Sequence, residues 1–140
     1  MRMNLTWAAF LSAASMAFAA PHVHAQALHS PAPGSSERRA ILDAVRPVVV
    51  AQVGPPVEFV VNDIRVVGGY AFVVVEPQRP GGGRIDYSHL DDGLMDGLRT
   101  EAILVNRNGR WLVAHHGTGA TDVWYLGFCG DYPRGLIPGC

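Results

Sequence analysis

Glu101, His115, His116 and Asp122 are the side chains whose type and spacing come nearest to acid–base chemistry. Their placement follows from one turn. Asn108-Gly109 lies between two apolar runs, and Asn-Gly accepts the positive φ that a two-residue hairpin turn requires at both positions. Turn length sets register. Arg107 is expected opposite Arg110, Asn106 opposite Trp111, Val105 opposite Leu112 and Leu104 opposite Val113. Continued without interruption, Ile103 meets Ala114, Ala102 meets His115 and Glu101 meets His116. Side chains alternate along a strand, so His115 is expected on the face of Trp111, Val113 and Leu104, with His116 on the other. Two adjacent histidines on a regular strand therefore cannot chelate one ion together.

The Glu101–His116 couple has two readings. A carboxylate opposite an imidazole raises its affinity for a proton or orients its tautomer, which suits a general acid or base. The plainer and preferred reading is a cross-strand polar pair at the sheet margin, contributing about 0.2–1 kcal/mol. His115 is read first as a histidine filling the end of the core beside Trp111. Asp122 follows His116 beyond a small-residue turn and can fold back towards either histidine. No Gly-x-Ser-x-Gly, no cysteine with a placed histidine and no His-Glu-x-x-His pattern accompanies them. No catalytic residue is assigned on this basis, and an enzyme is the less favoured reading. Trp111, His115, Trp124 and Tyr125 are the expected ligand-contacting residues, with a core role as the alternative for the aromatics.

Around this stretch the chain reads as one α+β domain, residues 36–140. Ser36 can cap a helix opening at Glu37, whose charge suits the positive end of the dipole. Ile41, Leu42, Val45, Val48, Val49 and Val53 keep helical spacing, and Gly54-Pro55-Pro56 ends it. Pro47 interrupts the pattern at a cost of about 3 kcal/mol or more unless the helix bends. A single helix over 37–53, kinked near Pro47, is preferred; the alternative is a helix ending at Arg46 with a strand after it. Val57–Val67 and Tyr70–Glu76 are β-branched and aromatic, joined by Gly68-Gly69, and predict a second hairpin. The expected architecture is one long helix packed on a four-stranded antiparallel sheet made of two hairpins. Ile64, Val66, Ala71, Val73 and Val75 should face the helix. Asp63, Arg65, Val67, Tyr70, Phe72 and Val74 form a second face, too apolar for one left in water. Either the C-terminal tail covers it or a partner does, and a homodimer through this face is one expectation. A short helix or a last strand is expected through Trp124–Phe128.

The first 27 residues read as an export signal. Met1-Arg2 gives the charged start, Leu5–Ala20 the apolar run, and small-residue cleavage sites follow, with cleavage after Ala27 preferred over Ala19 or Ala20. The apolar run is short for a membrane span. A soluble periplasmic or secreted protein, with no membrane attachment after cleavage, is the expectation. Residues 28–35, rich in Pro, Ser and Gly, read as a flexible linker. In an exported chain Cys129 and Cys140 are expected to pair as a disulfide, with pairing between molecules as the alternative.

Composition excludes several chemistries. The formal charge is −1, and all 11 basic residues are arginine. No basic run is present, which disfavours nucleic acid as a partner. The absence of lysine removes the phosphate-loop lysine and Schiff-base catalysis. The glycines of 80–83 and 117–119 fit neither a phosphate loop nor a dinucleotide fingerprint. Asp86, His89, Asp91, Asp92 and Asp96 make an acidic stretch without the alternate spacing of a calcium loop. No metal and no cofactor is assigned, capture of zinc or calcium by this loop with His89 being the least favoured alternative. A solvated loop with a short helix over 89–98 is the plainer expectation there.

The phrases SSERRAILDAVRP, VEFVVNDIRVVGGYAFVVVEPQRPGG and GRWLVAHHGTGATDVWY resemble small exported proteins of Gram-negative bacteria of unknown function. The resemblance spans 36–125 and implies an exported one-domain α+β protein, with no catalytic residues to carry over. The helix-then-meander order is similar to cystatin-like and nuclear-transport-factor-like folds, where a helix lies across a curved antiparallel sheet; a shared fold does not license a function. Val48–Val50, poor helix formers, and the paired tail cysteines depart from that pattern. The function expected is a non-enzymatic binding module for a protein or small ligand. The alternative is a small hydrolase or isomerase using His115 or His116 with Glu101 or Asp122.

Overall fold

The computed structural model describes residues 27–90 and 92–140. Residues 1–26 of the expected export signal lie outside this range, as does Asp91. The fold is α+β, one helix on a four-stranded antiparallel sheet, as the sequence predicts. Helix α1 runs Ser36–Val53. Its cap is Ser35 and not Ser36, with the Ser35 side chain accepting from the Arg38 N–H at 3.2 Å. Ile41, Val45, Val49 and Val53 are buried, one per turn, and Pro47 lies within the helix on its exposed side. The apolar stripe therefore carries the helix through the proline, and the alternative of a strand after Arg46 is not adopted. Gly54, at φ 71°, ends it. Arg79 then donates to the last helix carbonyl, Val53, and to Gly54 and Pro56 just beyond it, at 2.7–2.9 Å. Helices leave their last carbonyls without internal partners, and this arginine supplies one at Val53 beside the Gly54 cap, whose N–H bonds the Val50 carbonyl.

Strands β1 (Glu58–Val67), β2 (Tyr70–Gln78), β3 (Thr100–Arg107) and β4 (Arg110–Thr118) lie in the order β1-β2-β3-β4. Gly68-Gly69 joins the first pair, with Val67 opposite Tyr70. Asn108-Gly109 joins the last pair at φ 54° and 80°. Each edge strand carries a one-residue bulge, Asn62 in β1 and Ala114 in β4.

One face of the sheet packs on α1. Ile64, Val66, Ala71, Val73, Val75, Ala102, Leu104 and Trp111 join the helix residues in that core. The opposite face has its own core of Phe72, Ile103, Leu136 and Ile137. The C-terminal tail supplies this cover. A short 3-10 turn, Trp124–Phe128, crosses the face, and the chain returns to bury Leu136 and Ile137. A disulfide joins Cys129 to Cys140. Of the two expected covers for the apolar face, tail or partner, the tail is the one present. Phe72 is 0 % exposed, so it is not part of a free association surface.

The segment 28–35, expected as a flexible linker, is attached to the sheet. His29 exchanges two backbone hydrogen bonds with Val66, at 2.9 and 2.8 Å. Its imidazole lies 2.9 Å from Glu37 of α1, and Pro31 is buried. The loop between β2 and β3 forms turns, with no helix over the described residues of 89–98. Gly93 and Gly97, at φ 87° and 73°, are incompatible with a right-handed helix there.

Candidate functional site

The bulge at Ala114 decides where the histidines go. The four register pairs nearest the Asn-Gly turn stand as the turn length dictates. Beyond them Ala114 is an extra residue, so Ile103 faces His115, Ala102 faces His116 and Glu101 faces Gly117. A one-residue slip moves every later side chain to the other face. His115 accordingly leaves the face of Trp111 and lies on the tail side, its ring 4.1 Å from that of Phe128 and 6.3 Å from that of Tyr132. His116 is exposed on the helix side of the sheet margin. The expected Glu101–His116 couple does not form. Asp122 is exposed, and among the described residues it makes no hydrogen bond or ion pair with either histidine.

Glu101 instead belongs to a structural knot. It is 1 % exposed and takes Arg99 Nε and Nη2 on one carboxylate oxygen, both at 2.7 Å. The indole N–H of Trp124 donates to the other oxygen at 3.3 Å. Pairing with Glu101 holds the Arg99 guanidinium above its ordinary pKa. Gly117 makes this possible, because a Cβ there would stand 2.5 Å from Trp124 Nε1. A buried carboxylate that is paired and hydrogen-bonded holds the tail to the sheet. Trp124 and Tyr125 are thereby committed to packing, Tyr125 edge-on to Phe72 at 5.0 Å.

The four expected ligand residues are thus divided between two faces. On the tail side, Tyr70, Arg107, His115, Asp131 and Tyr132 line an open cleft of about 350 Å³. Burial pushes the Tyr132 phenol above its ordinary pKa, with Asp131 adding to the shift. On the helix side, Trp111 forms part of a groove of about 440 Å³ between α1 and β4. Ala40, Ala44, Pro47 and Val48 give its helix wall, and Gly109–Val113 give its strand wall.

This groove borders the outer edge of β4, which pairs with no strand among the described residues. In a two-residue hairpin the residues flanking the turn form a hydrogen-bonded pair, and bonded and non-bonded pairs then alternate. Arg110 and Leu112 therefore bond inward to β3. Trp111 and Val113 turn their N–H and C=O outward, along the groove. Asn106, opposite Trp111, agrees with this phase: its N–H donates across to Gly69 on the β2 side, at 2.8 Å. The regular edge ends at the Ala114 bulge.

Charge is uneven here. Arg107 and Arg110 face each other across the turn, both exposed, and neither has an ion pair among the described residues. Asp43, also on the groove, is matched by Arg46 at 3.6 Å. Arginines on both sides of Asn-Gly were readable from the sequence as like charges brought face to face. The helix wall was not, because Ala40 and Ala44 carry no signal of their own.

The acidic loop serves its own backbone. Asp86 accepts from the Ser88 N–H and Asp92 from the Leu94 N–H, while His89 bonds the Gln52 carbonyl. The Ser88 hydrogen bonds hold the Asp86 carboxyl below its ordinary pKa. Among the described residues no three of His, Cys, Asp and Glu stand together to hold a metal ion.

Comparison with known proteins finds no matching family model, no matching curated protein and no matching solved structure.

Proposed function

We propose that this is an exported, non-enzymatic binding module that takes an extended polypeptide segment onto the free edge of β4. The observation that carries the reading is the coincidence of two features at Trp111 and Val113. Their main-chain groups point away from the sheet, and an apolar groove lies alongside them. Strand addition uses both: main-chain bonds give affinity, and alternate side chains entering a pocket give specificity. A regular edge of four residues, ended by a bulge, also limits pairing to a short segment, which protects the strand from open-ended association.

Export is supported by the signal-like sequence of 1–27 and by the disulfide. Among the described residues no helix is long and apolar enough to cross a membrane. The separation of both histidines from Glu101 and Asp122 removes the arrangement that favoured an acid–base enzyme. The likeness to cystatin-like domains, which also pair a helix with a meander, rests on element order alone.

The test is a selection from random octapeptides, followed by binding of the enriched sequences to a Val113→Pro variant. Proline on an edge strand is tolerated where its N–H faced outward. The variant should keep its circular dichroism and lose peptide binding. Undiminished binding by a folded Val113→Pro protein contradicts the proposal.

A further inference from the structure

We propose that the ligand of the β4 edge is a polypeptide C-terminus, its free carboxylate held by Arg107 and Arg110. This rests on the strand-addition reading above and gives it a direction and an end.

The two arginines are the starting point. They are register partners across the Asn108-Gly109 turn, so their side chains leave the same face of the sheet. Like charges directly opposite each other destabilise a strand pair. No acid of the described chain relieves them. Asp131 lines the neighbouring cleft with Arg107 but forms no ion pair with it, and Asp43 is taken by Arg46. The pair is a concentration of positive charge at the start of β4, carried on the face opposite Trp111, with Arg107 on the tail-side cleft and Arg110 also bordering the groove.

Chain direction then follows from charge. A segment antiparallel to β4 runs towards Arg110 and ends beside it, so its terminal carboxylate meets two guanidinium groups. A parallel segment brings its amino end to the same place, where two positive charges repel an ammonium. Arginine suits the first case, because its planar fork matches carboxylate geometry and such charge-assisted bonds are among the stronger ones.

Register supplies the rest. With the last ligand residue opposite Arg110, the second from the end stands opposite Trp111 and the fourth opposite Val113. Those two exchange main-chain bonds with the outward groups of β4. Their side chains also share the face of Trp111 and Val113 and enter the groove, whose helix wall is Ala40, Ala44, Pro47 and Val48. The preferred terminus therefore has apolar side chains at the second and fourth places from its end. The third lies beside Leu112 on the other face, which is exposed and tolerant.

The experiment uses the processed, disulfide-bonded protein labelled with 15N. It is titrated with three N-acetylated hexapeptides: GGVSVS as the free acid, GGVSVS as the C-terminal amide, and GGVSVD as the amide. Shifts of the Trp111 and Val113 amides report binding. The free acid should bind about tenfold or more tightly than the first amide, and the difference should shrink in high salt. In a doubly substituted Arg107→Gln, Arg110→Gln protein the acid should fall to the affinity of the amide. Equal binding of acid and amide to the unsubstituted protein overturns carboxylate capture and leaves strand addition standing. Binding of the aspartate amide as tightly as the free acid overturns the assignment to a chain terminus. Absence of any shift at Trp111 and Val113 with all three peptides overturns carboxylate capture and strand addition together.

Discussion

At the scale of single residues, two of the four side chains that looked reactive in the sequence are occupied with packing, while His116 and Asp122 are exposed. Glu101 holds Arg99 and Trp124, and His115 stacks against Phe128. Among the described residues, the histidine with a carboxylate within hydrogen-bond distance is His29, which lay in a stretch read as a linker. Its hydrogen bond with Glu37 is the main cause of a pKa raised above the ordinary 6.5, with the Ala27 carbonyl adding to it. The sign of the linkage follows. The folded state holds this proton more tightly than the unfolded chain, so the pairing contributes fully below pH 6.5 and is lost as pH rises through the folded value. An NMR pH titration should find His29 titrating above 6.5, and Glu37→Gln should lower its midpoint. An unmoved midpoint in the variant would show that Glu37 does not set it.

At the scale of elements, both turns and the helix were legible because each rests on local chemistry. Asn-Gly and Gly-Gly specify tight turns, and an apolar residue at each turn of a helix specifies its buried stripe. The bulges were not legible. Ala114 has no backbone signature, and only the competing demands of two packed faces reveal that one residue is surplus. This surplus undid the expected site, since it moved His115 away from Trp111 and separated His116 from Glu101. Deleting Ala114 should accordingly leave the pairs Leu104–Val113 and Ile103–His115 intact, now on an uninterrupted strand. The shortened protein should fold and retain nuclear Overhauser contacts between His115 and Phe128. Transfer of His115 to the helix face would show that the bulge does not set the register.

For the whole molecule, the sequence showed a sheet too apolar on its second face, but not what covers it. The answer lies 30 residues or more from Ile103 along the chain, in Leu136 and Ile137. Contacts at that separation leave no periodicity in the tail itself. The disulfide encloses these two residues between Cys129 and Cys140. Both cysteines are exposed, so Cys129→Ser with Cys140→Ser adds no buried polar group. The double variant should lose about 2–3 kcal/mol of unfolding free energy, from the freed loop. It should also bind more of a hydrophobic dye, as the tail opens over Phe72. A stability unchanged in denaturant titration would mean that packing alone holds the tail. Phe72→Asp, by contrast, buries an unpaired charge under that tail, and global destabilisation is the expected result.

The free edge of β4 is the claim on which the proposed function stands, and amide hydrogen exchange tests it most directly. In the processed protein, the Trp111 and Val113 amides should exchange rapidly while Leu112, bonded inward to β3, exchanges slowly. A bound peptide should slow Trp111 and Val113 and leave Leu112 unchanged. Protection of Trp111 and Val113 in the unliganded monomer would contradict the account, because their N–H groups would then already be engaged within the chain.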